Sequence, residues 1–590
     1  MKPSGVFKRR FDIAIALLLL LLLQPGVASA QLQIKLPPAA TGELETVLRK
    51  GREFESQQRW ADALNLYEDF ARKNPNQPAL VERLDLAKVH YDLARRYSDS
   101  TFCRNIKSLS ENDALELYSQ VMSRLYTHYV QTPDWTALVN RGTLDLTVAL
   151  YDSKFLSANA PDMPGERIAS FRQQLEKLFA GRTVRDRDEA RELVRQAAHL
   201  AHRELGISPT AVILEYVCGA AGGLDEYSTF LTSGQLTDLY SQIDGNFVGL
   251  GVELKARDNA LLIVNVIPGS PAQKGGLKKN DRLIGVNGKT TRDLNTDQAA
   301  DMLQGEAGTT VEVLAVTEGQ SPRRIVIRRE SIEVPSIENA HLVDRASGIA
   351  YLKLTCFQKT TSADLDTALW KLYREGMRSL IIDLRGNPGG LLTSSVEVAD
   401  KFIESGGIVS TRGRSPQEDF NYTAHKAGTW RVPLVVLIDG DSASASEIFA
   451  GAMRDNRRAT IVGQRSYGKG SVQGIFPLSV GGMGLRLTTA KFYSPDGHPF
   501  SGIGVEPEIV VHTTAKPSLA DTSAAVSVDT HQLTEAGDGS RFGERSAASA
   551  TPVSDRKDTN VDNSVAASDW NDATLAAGLQ AARNQVASAR

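Results

Sequence analysis

Residues 434–447 read LVVLIDGDSASASE. The apolar run predicts a buried strand, and the small polar residues after it predict a turn that leads into a helix. A serine at such a junction lies near a helix N-terminus, where backbone N–H groups and the helix dipole favour a developing anion. The same serines could instead be ordinary helix caps. This stretch therefore indicates an α/β region with a candidate nucleophile at its turn.

A second informative segment reads DLRGNPGG at 383–390 and also follows a buried-type strand. Paired glycines after a proline free the backbone to present N–H groups outward, which is how an oxyanion hole is built. A plain turn between a strand and a helix would have the same composition. Gly389 and Gly390 are thus candidate oxyanion donors.

A third segment reads GQRSYGKGSVQ at 463–473. It fits G-x-x-x-x-G-K, but Gly470 stands where a P-loop needs Ser or Thr, and the following residues predict a strand, so nucleotide binding is rejected. The glycine-flanked Lys469 and a junction serine together suggest a Ser/Lys dyad. A lysine is a base only when neutral, so its pKa must fall by roughly 3 units, which burial can supply.

Other chemistries have less support. No H-E-x-x-H occurs, and His341, His425 and His498 stand in no familiar triad context. Three cysteines exclude a disulfide-stapled scaffold and a four-thiolate zinc site. A net charge of −3 gives no global basic field that would indicate nucleic acid. We therefore expect no metal, no cofactor and no nucleic-acid partner.

The first 30 residues have the layout of a secretory signal peptide: basic residues, an apolar run at 13–23, and A-S-A at 28–30 before Gln31. The run is short of the about 20 residues that span a bilayer, so membrane association is expected only if the leader is uncleaved. We expect an exported protein, periplasmic or extracellular.

The remaining chain divides by pattern. Helical spacing covers 42–235, with a tetratricopeptide-like motif at 51–75 that an ordinary amphipathic helix pair would also explain. Short strands fill 240–330, and strands alternate with helices over 331–511. The polar composition of 513–569 predicts disorder, and 570–590 could form a terminal helix. The low apolar content of the whole chain, 41%, is thus attributed to the tail.

Residues from about 205 to 511 resemble the carboxyl-terminal processing, or tail-specific, serine proteases. The matching motifs occur in order: LDEYS at 224–228, GLGV at 249–252, SPA at 270–272, GLKKND at 276–281, the three segments above, and a closing segment at 491–507. Glu226, Gly386 and Glu508 depart from the family pattern, which has Pro, Asn and Asp there. None of these departures touches the dyad.

The resemblance implies roles for individual residues. The nucleophile is the middle serine, Ser444, and the base, Lys469, follows 25 positions later. Gln473 is expected to help orient the lysine, and Glu447 matches an acidic residue of less certain role. The oxyanion donors carry over as the N–H groups of Ala445 and of the glycine pair, with Gly390 favoured. The substrate C-terminus is expected at the PDZ loop, formed by Gly249, Leu250, Gly251 and Val252.

The residue pattern, outside the stretch that matches the family, indicates an N-terminal helical region and a disordered C-terminal tail. With these, the resemblance implies a multidomain α+β protein that has a β-barrel-like PDZ domain and an α/β peptidase core of the ClpP/crotonase-like type. It implies an exported endopeptidase that cleaves proteins or peptides at or near accessible C-termini, with an adaptor protein possible at the helical region. Two alternatives stay open: a catalytically inactive PDZ and repeat scaffold, and an α/β-hydrolase that uses Ser442 but lacks the last Gly of G-x-S-x-G.

Overall fold

The computed structural model describes residues 41–74, 77–257, 260–292, 302–305, 307–425, 427–512 and 572–588. The predicted leader and the segment predicted to be disordered, 513–569, lie outside these residues. The chain divides into two compact units, residues 1–95 and 96–590, so the division falls inside the region predicted to be helical. No helix in the described part of the chain is long and apolar enough to cross a membrane.

The described part of the first unit contains α1 (Thr41–Ser56), α2 (Trp60–Lys73) and most of α3 (Pro78–Arg96). Helices α1 and α2 pack closely at Gly51, where a Cβ atom would lie 2.1 Å from the Tyr67 hydroxyl oxygen. That hydroxyl donates a 2.7 Å hydrogen bond to Glu55. The small and aromatic residues of the predicted motif therefore form the contact between the two helices.

The second unit begins with a bundle of helices: α4 (Ser100–Ser108), α5 (Glu111–His128), α6 (Trp135–Ala149), α7 (Ser153–Asn159), α8 (Gly165–Phe179), α9 (Arg187–Leu205) and α10 (Pro209–Gly222). Helix α10 is buried along nearly its whole length and passes close to α6, because glycines meet at the crossing of the two helices. The buried carboxylate of Glu215 accepts hydrogen bonds from Arg96 and from the Tyr97 hydroxyl. A buried charge of this kind needs such partners.

The helical region ends earlier than the sequence indicates. After Gly222 the chain forms strand β1 (Thr229–Leu231) and helix α11 (Ser233–Asp244). Strand β1 pairs antiparallel with the strand Gly484–Tyr493 of the peptidase core. Residues 229–231 therefore belong to a sheet, and it is this long-range pairing that overrides the helical pattern.

The next domain is an antiparallel six-stranded sheet closed around its own core of Leu, Ile, Val and Ala side chains. Its strands are β3 (Val252–Arg257), β4 (Ala260–Val266), β5 (Arg282–Val286), β6 (Lys289–Thr290), β7 (Thr310–Val316) and β8 (Arg323–Arg328), with the short helix α12 (Pro271–Lys274) after β4. A separate two-stranded sheet of β2 (Asn246–Gly249) and β9 (Glu330–Glu333) joins the two ends of this domain.

The peptidase core contains two sheets. The first has the order β10-β11-β12-β15-β16-β19 and is parallel from β11 onward. Its strands are β10 (Ile337–Asp344), β11 (Ile349–Leu354), β12 (Ser379–Asp383), β15 (Leu434–Ile438), β16 (Thr460–Gly463) and β19 (Ile509–Val510). Strands β12 and β15 are buried at every residue, which explains their unbroken apolar sequences.

The second sheet combines β1 with β13 (Gly407–Gly413), β14 (Phe420–Thr423), β17 (Ser471–Pro477) and β18 (Gly484–Tyr493). Helices α13 (Thr361–Arg374), α14 (Leu392–Asp400) and α15 (Ala445–Asp455) lie between the strands in the sequence, and their buried faces contribute to the main hydrophobic core. Cys103, Cys218 and Cys356 form no disulfide bond with one another.

A last helix, α16 (Ala573–Ser588), lies within the 570–590 segment where the sequence predicts one. It packs on the opposite face of the six-stranded peptidase sheet, and Gly578 allows this close approach because a Cβ atom there would lie 2.7 Å from Leu437. Arg385 Nη1 donates a 2.7 Å hydrogen bond to Asp572, which precedes the helix. Arg385 also pairs with Asp383 at the end of β12.

Candidate active site

The three serines after β15 have different environments. Ser442 is fully buried; its hydroxyl donates to the carbonyl oxygen of Leu384 at 2.9 Å and accepts from the N–H of Asp439 at 3.0 Å. Ser446 is also fully buried and donates to the carbonyl oxygen of Asn387 at 3.0 Å. Ser444 is half-buried, and its hydroxyl donates to no other described residue. The Ser444 hydroxyl is therefore the one that this turn leaves available to react.

The backbone at Ser444 is strained. Its φ is 55° and its ψ is −113°, a conformation that L-amino acids other than Gly rarely adopt. Ser444 immediately precedes α15 and its N–H donates to the Glu447 carboxylate at 2.8 Å. A strained turn between a strand and a helix projects its side chain out of the sheet, as in other nucleophile turns.

The two predicted oxyanion glycines differ in what their N–H groups do. The N–H of Gly389 donates to Asn387 Oδ1 at 2.9 Å, so it is already used within the loop. The N–H groups of Gly390 and Ala445 donate to no described residue. Gly389 instead provides close approach, because a Cβ atom there would lie 2.8 Å from the Ser444 Cβ. Gly390 and Ala445 are thus the pair that could hold an oxyanion.

Lys469 lies in the loop between β16 and β17, in a half-buried position. Its Nζ lies 4.9 Å from the centre of the Tyr227 ring. Burial lowers the pKa of Lys469, and the positive charge of Arg486 lowers it further. Within the described residues, no hydrogen bond joins Lys469 Nζ to Ser444 Oγ. The lysine amine therefore lies over the Tyr227 ring and is not hydrogen-bonded to the serine hydroxyl.

Comparison with known proteins identifies the family of the chain. Residues 348–511 match the model of peptidase family S41, and residues 262–316 match that of a PDZ domain. The "Carboxy-terminal-processing protease" of Bartonella bacilliformis is 40% identical over 296 residues, which cover 49% of this chain and 67% of that protein. The chain belongs to the carboxy-terminal-processing protease family.

Other relatives match over a similar stretch. The "Probable CtpA-like serine protease" of Staphylococcus haemolyticus is 32% identical over 298 residues, covering 50% of this chain and 59% of its own length. The solved photosystem II D1 C-terminal processing protease is 23% identical and covers 68% of this chain and 93% of its own, with a TM-score of 0.36. The stretch shared with the proteases of Bartonella bacilliformis and Staphylococcus haemolyticus is thus about half of this carboxy-terminal-processing protease homologue.

The sequence predicts that Gln473 helps to orient the lysine of the dyad. Gln473 lies on β17, and its side chain bonds Ser471 instead of the lysine. Its Nε2 donates to the carbonyl oxygen and to the hydroxyl of Ser471, both at 2.9 Å. No hydrogen bond within the described residues links it to Lys469. The expected orienting contact from Gln473 is therefore not made in this arrangement of the family's site.

The PDZ loop combines a buried leucine with a glycine in a left-handed backbone conformation. Leu250 is buried in the PDZ core, and Gly251 has a φ of 81°, with its Cα so close to Ser270 that a Cβ atom would lie 2.4 Å from that residue. The loop carbonyls of Leu250 and Gly251 accept hydrogen bonds from Ala272 and Ile267. The N–H groups of Leu250 and Gly251 donate to no described residue, which leaves them free for a carboxylate. Gly249 ends β2 and Val252 begins β3, so the loop leads directly into a strand.

Sequence reasoning did not assign a role to two residues around the lysine, Tyr227 and Arg486. Tyr227 stands in the LDEYS segment, where Asp225 accepts hydrogen bonds from its N–H and from that of Ser228. Arg486 on β18 donates to the carbonyl oxygen of Tyr227 at 3.0 Å. The LDEYS motif was the sequence signal for Tyr227. The contact between Tyr227 and Lys469, however, depends on the pairing of β1 with β18. Glu447, which was noted from its motif, is treated below.

Proposed function

We propose that the protein is an exported serine endopeptidase that cleaves proteins at or near their C-termini, with Ser444 as nucleophile and Lys469 as general base. The observation that carries this proposal is the difference among the three serines. Ser442 and Ser446 use their hydroxyls to bond backbone carbonyls, whereas the half-buried Ser444 is adjacent to the unused N–H of Ala445. The same difference argues against an esterase that would use Ser442.

The proposed reaction is acyl transfer. Neutral Lys469 takes the proton from Ser444 Oγ, which attacks the scissile carbonyl carbon. The N–H groups of Gly390 and Ala445 hold the resulting oxyanion, each contributing about 3 kcal/mol by analogy with other oxyanion holes. The ammonium of Lys469 then protonates the leaving amine, and water hydrolyses the acyl-enzyme by the same route. Gln473 would join the lysine once Lys469 has turned from Tyr227.

The PDZ domain is proposed to bind the substrate C-terminus. An extended peptide would add to the sheet beside β3, with its carboxylate on the N–H groups of Leu250 and Gly251. The loop's free N–H groups and the strand that follows it support this assignment. A ClpP/crotonase-like fold for the peptidase core, export through the leader, and an adaptor bound to the N-terminal helices complete the proposal.

The test is cleavage of casein and of a peptide with an apolar C-terminus by the wild type, Ser444→Ala and Lys469→Ala. We expect cleavage by the wild type and loss in both variants. Ser405→Ala and Lys371→Ala, which change an exposed serine and an exposed lysine outside the site, should cleave normally. Equal cleavage by all variants would refute the dyad. A wild type that never cleaves but binds peptides would favour the scaffold alternative.

A further inference from the structure

Glu447 is a fully buried carboxylate between the two proposed catalytic residues. It lies in the first turn of α15, three residues after Ser444. Four donors converge on it: the Ser466 hydroxyl and the Gly468 N–H on Oε1, both at 2.6 Å, and the N–H groups of Ser444 and Lys469 on Oε2, both at 2.8 Å. Both carboxylate oxygens are therefore saturated by donors from two separate loops.

The shared oxygen limits the distance between Ser444 and Lys469. Their loops are also joined by the Tyr467 N–H, which donates to the Ser442 carbonyl oxygen at 3.0 Å. Ser444 and Lys469 are 25 residues apart, and each follows a different strand of the sheet. Because both of their backbone nitrogens lie 2.8 Å from Glu447 Oε2, the two nitrogens cannot be more than twice that distance apart. The carboxylate thus sets how far the lysine side chain must reach to meet the serine hydroxyl.

The donors also indicate the charge on Glu447. Burial raises the pKa of its carboxyl above the usual value, and the hydrogen bonds from Ser466, Gly468, Ser444 and Lys469 offset only part of that rise. Three of the four donors are backbone N–H groups, which cannot accept a carboxyl proton, so this arrangement suits the ionised form. A buried charge that is saturated in this way is costly to disturb and holds its neighbours firmly.

We propose that Glu447 is a positioning residue, which ties the turn of Ser444 to the loop of Lys469 and thereby sets the reach of the lysine amine. The predicted effect on kcat rests on the proposed function, whereas the link between the two loops does not. The tie between the two loops can be measured without any activity. Glu447 itself does not touch the reacting atoms in this role.

Replacing Glu447 with Gln should affect kcat in two opposite ways. Its negative charge favours the charged form of Lys469, so removing it should lower the pKa of the lysine and move the rise of activity to lower pH. An amide, however, has one acceptor oxygen, and its NH₂ group would face N–H donors. If positioning dominates, kcat falls at every pH. If charge alone matters, kcat at neutral pH rises.

The experiment compares the wild type, Glu447→Gln and the control Glu508→Gln. Glu508 also accepts a backbone N–H, that of Ile461 at 3.2 Å, but is exposed and lies outside the site.

We expect Glu447→Gln to lower kcat by about 100-fold with KM nearly unchanged, the cost of roughly 1 Å of misplacement. Its reaction with a fluorophosphonate at Ser444 should slow in parallel. Amide hydrogen exchange of a peptide covering 464–470 should quicken, and the control should match the wild type in all three measurements.

Each outcome decides something. Unchanged exchange at 464–470 in Glu447→Gln, or an unchanged kcat plateau with only a pH shift, would overturn the positioning role. If the wild type never cleaves but amide hydrogen exchange at 464–470 is faster in Glu447→Gln, the proposed function is refuted and the link between the two loops through Glu447 is supported. If Glu447→Gln does not fold, Ser466→Ala removes one donor to the same carboxylate. It should lower kcat by about 10-fold, and a wild-type kcat there would overturn the inference.

Discussion

The side-chain nitrogen of Lys469 lies over the ring of Tyr227, 4.9 Å from its centre. An aromatic face and the negative charges of Glu226 and Glu447 favour the charged form of the lysine, whereas burial and the neighbouring Arg486 favour the neutral form. The proposed base is therefore held between two opposing influences. The balance between them sets the pH at which the site becomes competent.

Replacing Tyr227 with Leu should shift the pH dependence of activity. The substitution keeps an apolar side chain but removes the ring face, which stabilises the charged lysine by about 1 kcal/mol. The pKa of Lys469 should then fall, and the rise of kcat/KM should move to lower pH by about 0.7 units. A pH–rate profile of the purified protein measures this shift.

Tyr227→Phe is the matched control, because it keeps the ring and removes only the hydroxyl. Its pH–rate profile should coincide with that of the wild type. A shift of equal size in both variants would assign the effect to the hydroxyl and would contradict the role of the ring.

Arg486 should move the same profile in the opposite direction. Its positive charge lowers the pKa of Lys469, so Arg486→Gln should raise that pKa. A lysine base is active above its pKa, and the rise of kcat/KM should therefore move to higher pH. Arg486→Lys keeps the charge and should leave the rise near its wild-type position. No separation between the two variants would mean that the charge does not act on the lysine.

Gly389→Ala should abolish most of the activity through the nucleophile turn. Its φ of 103° disfavours any side chain, and the new Cβ would lie 2.6 Å from the Ala443 carbonyl oxygen and 2.8 Å from the Ser444 Cβ. We expect kcat to fall by about 100-fold, as for a displacement of roughly 1 Å. Steady-state kinetics with a measured melting temperature test this.

Gly386→Asn is the control for that prediction. Gly386 also has a positive φ, 71°, but a Cβ atom there meets nothing within 4 Å, and Asn tolerates the left-handed region. This variant should keep near wild-type kcat. A comparable loss in both variants would trace the effect to loop strain in general.

Gly578→Leu should destabilise the peptidase core. The larger side chain would be forced against Leu437 in the centre of the six-stranded sheet, where a Cβ atom alone would lie 2.7 Å away. Overpacking of this kind costs about 1–3 kcal/mol. Urea unfolding should show a lower midpoint than for Ala576→Leu, which adds the same side chain on the exposed side of α16. Equal midpoints would mean that α16 contributes little to the core.

Much of the peptidase fold can be read from local patterns. The unbroken apolar strand Leu434–Ile438 and the helix after it follow from composition and periodicity, whereas the choice of Ser444 among the three serines rests on the 25-residue spacing implied by the family resemblance. Local rules of this kind work because parallel strands buried on both faces leave little room for other residue types. The strand and helix that carry Ser444 could therefore be predicted.

Contacts that join distant segments could not be predicted in this way. Tyr227 reaches Lys469 only because Thr229–Leu231 pairs with Gly484–Tyr493, more than 240 residues later. The use of the Gly389 N–H by Asn387 depends on one side-chain rotamer within the loop. Such details are set by tertiary packing and backbone geometry, for which the sequence pattern of a single chain carries no direct signal.

The packing of α16 also has a consequence for biosynthesis. The face of the sheet formed by Ile381, Val435 and Leu437 has its apolar cover in residues 573–588, which the ribosome makes well after the sheet itself. A growing chain that has reached residue 512 thus already holds every strand of the core and still exposes this apolar face. Closing a long loop costs only slightly more entropy than closing a short one, so the late helix can still return. Until that helix returns, the folding peptidase keeps this apolar face exposed.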